Sequence, residues 1–95
     1  MAAKATYTPV KLTEAGNIRA AAGKLCWIQV SNTTGNGLKC ILNDATTGTT
    51  GEVMQIGVPG DDSKFLLFSP PCPFATGIRV GTVEAGLIIT GGFVD

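Results

Sequence analysis

Short apolar runs separated by turn-forming residues recur along this chain about every ten residues, a spacing typical of β-sandwiches and β-barrels. The separating clusters are rich in Gly, Thr, Asn, Asp and Pro. No long stretch places apolar side chains at the i, i+3, i+4 and i+7 positions of an amphipathic helix. We therefore predict an all-β fold with about eight strands. The predicted strands are Thr6–Leu12, Asn17–Ala21, Lys24–Ser31, Leu38–Asn43, Glu52–Val58, Lys64–Ser69, Gly77–Val83 and Leu87–Val94.

The length of the chain, 95 residues, fits one domain. We predict a single antiparallel sandwich over residues 13–95. Residues 1–12 contain Pro9 and alternate poorly, so they are predicted either as an arm that reaches onto a neighbour or as an edge strand.

The third and fourth strands show the clearest alternation of apolar and polar residues. Asn36-Gly37 between them is typical of a tight hairpin turn, so we predict that the two strands pair with each other. In that pairing Val30 opposes Leu38, and Trp27 points away from the core together with Ile41 to form an apolar outer patch. The core-facing residues predicted from this register are Cys26, Ile28, Val30, Leu38, Cys40 and Leu42.

Two later strands are apolar on both faces. Lys64–Ser69 is one, and we expect it to be covered by its own core on one side and by something else on the other. Leu87–Val94 is the second, and its Gly91-Gly92 predicts a bulge or a close backbone approach. Pro70, Pro71 and Pro73 lack the N–H that a ladder uses, which predicts an extended loop after the sixth strand.

Charge and hydropathy exclude two classes of partner. The formal net charge is zero and the cations occur singly, whereas nucleic-acid binding needs clustered positive charge. The apolar runs are far shorter than the roughly 20 residues that span a bilayer, and no signal peptide is visible. We expect no nucleic acid, no membrane, and a protein made in a cytoplasm that leaves only inside a larger particle.

The chain contains no histidine, which removes the usual general base at neutral pH and the commonest metal ligand. A carboxylate pair could serve a glycosidase. However, Asp61 and Asp62 fall in the turn sequence Pro59-Gly60-Asp61-Asp62-Ser63, which accounts for them without catalysis. We therefore predict that the protein is not an enzyme and has no cofactor and no metal site.

Three cysteines, an odd number with no Cys-x-x-Cys pair, predict buried free thiols and not a disulfide framework.

Two short motifs have ordinary structural interpretations. One is Gly48-Thr49-Thr50-Gly51, which resembles the loop that clamps a nucleic-acid backbone but lacks basic neighbours, so we predict an ordinary loop between strands. Asn32-Thr33-Thr34 is a formal glycosylation sequon, for which turn chemistry is the favoured interpretation.

Three segments together resemble a known group of proteins. They are residues 23–32 (GKLCWIQVSN), residues 37–51 (GLKCILNDATTGTTG) and residues 73–80 (PFATGIRV) followed by Leu87-Ile88-Ile89. This succession is similar to that of small β-sandwich virion proteins of tailed bacteriophages, and the likeness covers roughly residues 23–94.

That resemblance implies a jelly-roll-like sandwich located on the capsid surface of a virion and made in the host cytoplasm. It implies a capsid decoration (cement) protein, often trimeric, whose partner is the major capsid protein. The alternatives are a tail or neck structural protein, and a β-sandwich module that binds a carbohydrate or another ligand. The residues predicted to contact partners lie in the N-terminal arm, the outer patch and the proline segment; they are Ala2, Tyr7, Pro9, Trp27, Ile41, Pro70, Pro71 and Phe74.

Overall fold

A computed structural model describes residues 9–94, and these residues form a single antiparallel β-sandwich. No helix among them is long and apolar enough to cross a bilayer. The strands are β1 (Val10–Leu12), β2 (Gly16–Arg19), β3 (Gly23–Asn32), β4 (Leu38–Asp44), β5 (Glu52–Val58), β6 (Ser63–Phe74), β7 (Ile78–Val83) and β8 (Leu87–Val94). The predicted fold class is confirmed.

The strands divide into two four-stranded sheets whose orders define the topology. Sheet A has the order β1-β8-β3-β6 and sheet B the order β2-β7-β4-β5. The antiparallel pairs β1–β8, β2–β7, β3–β6 and β4–β5 are nested along the chain, as in a ribbon folded at its middle and then rolled up. This arrangement is the eight-stranded jelly roll.

The predicted pairing of the third and fourth strands is wrong. β3 pairs with β6 and β8 in sheet A, whereas β4 pairs with β5 and β7 in sheet B. The segment that contains Asn36-Gly37 therefore carries the chain from one sheet to the other. In a jelly roll each inner strand takes a distant partner, and only β4 and β5 in the middle of the ribbon form a local hairpin.

The core lies between the inner faces of the two sheets. Of the six side chains that alternation predicted to face the core, Ile28, Val30, Cys40 and Leu42 belong to the buried cluster and Leu38 packs against it. These predictions hold because the face that a side chain takes depends on the pleat and not on the pairing partner. The buried cluster contains Ile18, Leu25, Ile28, Val30, Cys40, Leu42, Ile56, Val58, Phe74, Ile78, Val80, Leu87 and Ile89.

A bulge in β3 changes the role of Cys26. Its neighbours Leu25 and Trp27 both find partners on β6 and on β8, while Cys26 has none on either side. One extra residue thus stands in the strand, so the core position predicted for Cys26 is taken by Leu25. Cys26 is buried, but it lies outside the contiguous core cluster.

The proline segment belongs to β6, which corrects the prediction of a loop. The strand runs without a break from Ser63 to Phe74 and includes Pro70, Pro71 and Pro73. β6 is the edge strand of sheet A, so on one of its sides there is no neighbouring strand with which a missing proline N–H would have to form a hydrogen bond. Residues 68–71 have no partner on β3 either, because they bulge between the pairs Trp27–Leu67 and Leu25–Cys72.

Two buried asparagines fasten the loops at opposite ends of the sandwich. Asn32 donates from Nδ2 to the carbonyls of Asn36, Val58 and Pro59, and its Oδ1 accepts from Thr34. Both the Nδ2 and the Oδ1 of this side-chain amide have hydrogen-bond partners inside the fold, so the asparagine of the sequon has a structural role.

Asn43 does the same for the loop that contains residues 48–51. Its Nδ2 donates to the carbonyls of Thr49 and Thr50, and its Oδ1 accepts from the backbone N–H of Gly81. The predicted loop between strands is confirmed, since residues 48–51 connect β4 to β5.

Candidate functional site

The outer face of sheet A carries an apolar patch formed by Trp27, Phe65 and Leu67. Leu67 lies opposite Trp27 in the β3–β6 ladder, and Phe65 lies opposite Gln29, so all three share the face turned away from the core. The side chains of Phe65 and Leu67 are 56% and 70% exposed, respectively. Large apolar side chains grouped in this way in the open are typical of contact surfaces.

The patch has a defined geometry because its rings touch. The centroids of the Trp27 and Phe65 rings are 6.0 Å apart and their planes make an angle of 26°, an offset-stacked arrangement. Trp27 is half-buried, so it forms the floor from which Phe65 and Leu67 project.

Two neighbouring features place the indole flat on the sheet. Gly92 lies opposite Trp27 on β8, and a Cβ at that position would clash with Nε1 and Cε2 of the indole. Glycine therefore allows the ring to lie across the backbone of β8. In a regular strand Trp27 would share the inward face of Leu25. The bulge at Cys26 adds one residue between them, so Leu25 enters the core and Trp27 points outward.

A groove of about 510 Å³ continues the patch along β6. Its lining side chains are mainly apolar, and the hydroxyl of Ser69 and the indole N–H of Trp27 are polar groups among them. The bulge of β6 forms one side, and Cys26 lies in it beside Trp27. The lining residues are Cys26, Trp27, Leu67, Phe68, Ser69 and Pro71.

The strands of the two sheets differ in the signs of the charges that they carry. The four strands of sheet A contain three lysines, Lys11, Lys24 and Lys64, and neither Asp nor Glu. The strands of sheet B contain both signs, with Asp44 and Glu52 among the anions. Asp61 and Asp62 lie in the turn before β6, where the carboxylate of Asp62 accepts from the N–H of Ser63. The patch is therefore flanked by positive charge on its own sheet.

The structure brings together three of the predicted contact residues and separates two others from them. Trp27, Pro70 and Pro71 lie at the same end of sheet A, with Pro70 exposed and Pro71 half-buried in the groove. Ile41 lies on β4 in sheet B, so the predicted patch of Trp27 with Ile41 does not exist. Phe74 is only 2% exposed and packs in the core, so its side chain is not a contact residue.

The N-terminal predictions fall mostly outside the described residues. Ala2 and Tyr7 lie outside them, and Pro9 is the first described residue and is exposed. Val10–Leu12 forms the edge strand β1, paired with β8.

Sequence reasoning missed Phe65 and Leu67 as contact residues. The signal was present, since Lys64–Ser69 is apolar on both faces and a cover for the second face was expected. Within residues 9–94 nothing covers Phe65 and Leu67, which leaves them as the most exposed large apolar side chains described.

The thiols lie in three different environments. Cys26, Cys40 and Cys72 are free, as predicted, and the first two are buried. Burial in the core raises the pKa of the Cys40 thiol to about 11, which keeps it protonated at neutral pH. Cys72 is half-buried and packs against the core.

Among residues 9–94, no three Cys, Asp or Glu side chains come together as a metal-ligand set.

Comparison with protein-family models, with curated proteins and with solved structures gave no match to this chain. The arguments about function below therefore depend on the fold, the apolar patch and the distribution of charge.

Proposed function

We propose that this protein is a non-enzymatic structural protein of a phage virion, a capsid decoration protein that docks on the shell through the outer face of sheet A. The observation that carries the proposal is the patch of Trp27, Phe65 and Leu67, in which Phe65 stacks on Trp27 and the side chains of Phe65 and Leu67 are exposed and uncovered within the described residues. The resemblance of the framework positions to those of virion proteins supports a location in the virion. Jelly rolls also occur in viral capsid proteins. Because one fold serves many functions, this second support is an analogy.

The proposed mechanism is mechanical. Burial of the patch against the major capsid protein removes apolar surface from water at roughly 25 cal/mol per Å². An oligomer that bridges several capsid subunits adds such contacts across their joints, so rupture of the shell must break them too. The resemblance favours a trimer, which sedimentation of the free protein tests.

Binding to capsids that lack the protein tests the proposal. We expect wild-type protein to co-sediment with such capsids and to raise their rupture temperature. The double variant Phe65→Asp/Leu67→Asp should lose binding, because it places two charges in the buried centre of the contact. Val53→Asp is the matched control, since Val53 is 42% exposed on β5 in sheet B, away from the patch.

Two results would count against this function. Failure of the wild-type protein to bind capsids would remove the decoration role, and binding to isolated tails or necks instead would move the protein to that part of the virion. Equal binding by the double variant and by wild type would show that another surface docks.

The groove supports a second candidate, a module that binds a small ligand. Its mainly apolar lining suits an apolar ligand better than a carbohydrate, which needs several fixed polar partners. Because Trp27 is the only tryptophan and lines the groove, its fluorescence reports directly on binding. Saturable quenching by a small apolar molecule, in a protein that does not bind capsids, would favour this second function.

A further inference from the structure

The positions of two lysines on the outer face of sheet A specify what kind of partner covers the patch. Lys11 lies opposite Thr90, which lies opposite Gln29, so Lys11 is on the outer face in the same row as Phe65. Lys24 lies opposite Val94, two residues beyond Gly92 on the same face of β8. Both lysine side chains are exposed.

The indole of Trp27 lies between these two lysines. Lys11 is on β1 and Lys24 on β3, with β8 between them, and Trp27 lies across Gly92 of β8. Two strand spacings of about 4.8 Å and about four to five residues of about 3.3 Å separate the lysines, which places them roughly 15–20 Å apart. An extended chain covers that distance in about six residues.

A second copy of this chain does not suit the face. If two copies packed with these faces together, each would offer the other strands that contain lysines and no carboxylate, so neither Lys11 nor Lys24 would find an ion-pair partner on a strand of sheet A. Like charges brought together in a contact disfavour it.

We infer that the partner is an extended segment of another protein, apolar at its centre, with carboxylates about six residues apart that reach Lys11 and Lys24. The inference rests on the proposed docking role of this face and adds the chemistry of the partner to it. The central apolar side chains cover the indole of Trp27, while Phe65 and Leu67 lie beside the segment on β6. The two ion pairs at its ends fix the direction and register of the segment.

A pair of synthetic peptides tests the inference without a capsid. The first probe is acetyl-Glu-Thr-Leu-Thr-Phe-Thr-Glu-amide, in which both Glu, Leu and Phe share one face of an extended chain. The second has Lys in place of both Glu. Binding is followed by Trp27 fluorescence and by amide shifts. At low salt we expect the Glu peptide to bind about fivefold more tightly, with the difference lost near 0.5 M salt, since two exposed ion pairs contribute modestly and are screened.

Charge-reversal variants locate the effect. Lys24→Glu should abolish the preference for the Glu peptide, whereas Lys39→Glu, which makes the same change at an exposed site in sheet B, should leave it intact. Equal binding of the two peptides, shifts confined to sheet B, or an equal effect of the two variants would overturn the inference. So would self-association of the free protein that Leu67→Asp abolishes.

The two proposals can fail separately. Capsid binding that is indifferent to Lys24→Glu, together with no peptide preference, would reject the acidic partner and keep the decoration role. A clear peptide preference without capsid binding would reject the decoration role and keep the partner chemistry.

Discussion

Asp44, at the end of β4, holds the turn between β6 and β7 by accepting hydrogen bonds from three successive backbone N–H groups. The distances from its carboxylate oxygens are 2.8 Å to the nitrogen of Thr76, 3.0 Å to that of Ala75 and 3.3 Å to that of Gly77. The bond from Thr76, followed by that from Ala75, lowers the pKa of Asp44 below its ordinary value of 3.8. One side chain thus joins the two sheets at this end of the sandwich.

The lowered pKa makes this contribution to stability dependent on pH. The unfolded chain binds a proton at Asp44 near pH 3.8, whereas the folded protein binds it only at lower pH. The stabilisation is therefore complete above pH 3.8 and is lost as the pH falls through the folded-state value. We expect Asp44→Asn to lower the urea midpoint at pH 7 and to reduce its fall between about pH 5 and pH 2.

Urea titrations at several pH values, followed by Trp27 fluorescence, measure this effect. Glu52→Gln is the control, because among residues 9–94 the Glu52 carboxylate accepts only from the side chain of Gln55. If both variants showed the same pH profile, the hydrogen bonds to the turn would not be the cause.

At the scale of the strand, Gly91 and Gly92 of β8 serve opposite faces of the same sheet. A Cβ on Gly91 would lie 2.8 Å from Cδ1 of Ile18 in the core, and one on Gly92 would strike the indole of Trp27. The predicted close approach of the backbone is confirmed at both residues, and the bulge lies on the neighbouring strand β3.

Gly92→Ala should therefore lift the indole from β8. We expect a loss of about 1–3 kcal/mol in the free energy of unfolding, the usual cost of overpacking, and a red shift of Trp27 emission. Gly57→Ala is the matched control, since Gly57 lies within β5 and a Cβ there would meet no atom within 4 Å. It should be neutral or stabilise by roughly 0.5–1 kcal/mol. An unchanged emission spectrum in Gly92→Ala would contradict the assigned role of the glycine.

Strand positions were predictable from the sequence, but strand partners were not. Glu52–Val58 and Leu87–Val94 were predicted to the residue, because turn-forming clusters end them. The pleat fixes which face a residue such as Ile28 takes, and that face is the same whether its neighbour is β4 or β8. The jelly-roll pairing therefore had to come from the family resemblance or from the structure.

The candidate site was half predictable for the same reason. Parity alone put Trp27 on an outer face and put Phe65 and Leu66 on opposite faces of their strand. It could not show which of these two faces the core, or that the two strands are neighbours. Ile41 was wrongly joined to Trp27 because the Asn-Gly signal favoured a local hairpin. Phe74 was assigned to a loop because three prolines precede it, although an edge strand tolerates them.

For the molecule as a whole, one core serves both sheets, and this predicts that they unfold together. Leu42 of sheet B is fully buried in the same cluster as Ile28 of sheet A, while the fluorescent probe Trp27 reports on sheet A alone. Most strand pairs also join segments that are far apart in the chain, such as β1 with β8, so neither sheet can form from one continuous segment.

Leu42→Ala tests this cooperativity, because it makes a cavity in one sheet and is observed from the other. We expect it to lower the free energy of unfolding by about 2–5 kcal/mol, a large part of the total for a domain of this size. The transition seen by Trp27 fluorescence should move to lower urea by the same amount as the transition seen by far-ultraviolet circular dichroism. Val53→Ala, at an exposed site on β5, should change both by less than about 0.5 kcal/mol. If Leu42→Ala split the circular-dichroism transition in two and left the Trp27 transition in place, the sheets would be separate folding units, and a partner docked on sheet A would stabilise only half of the molecule.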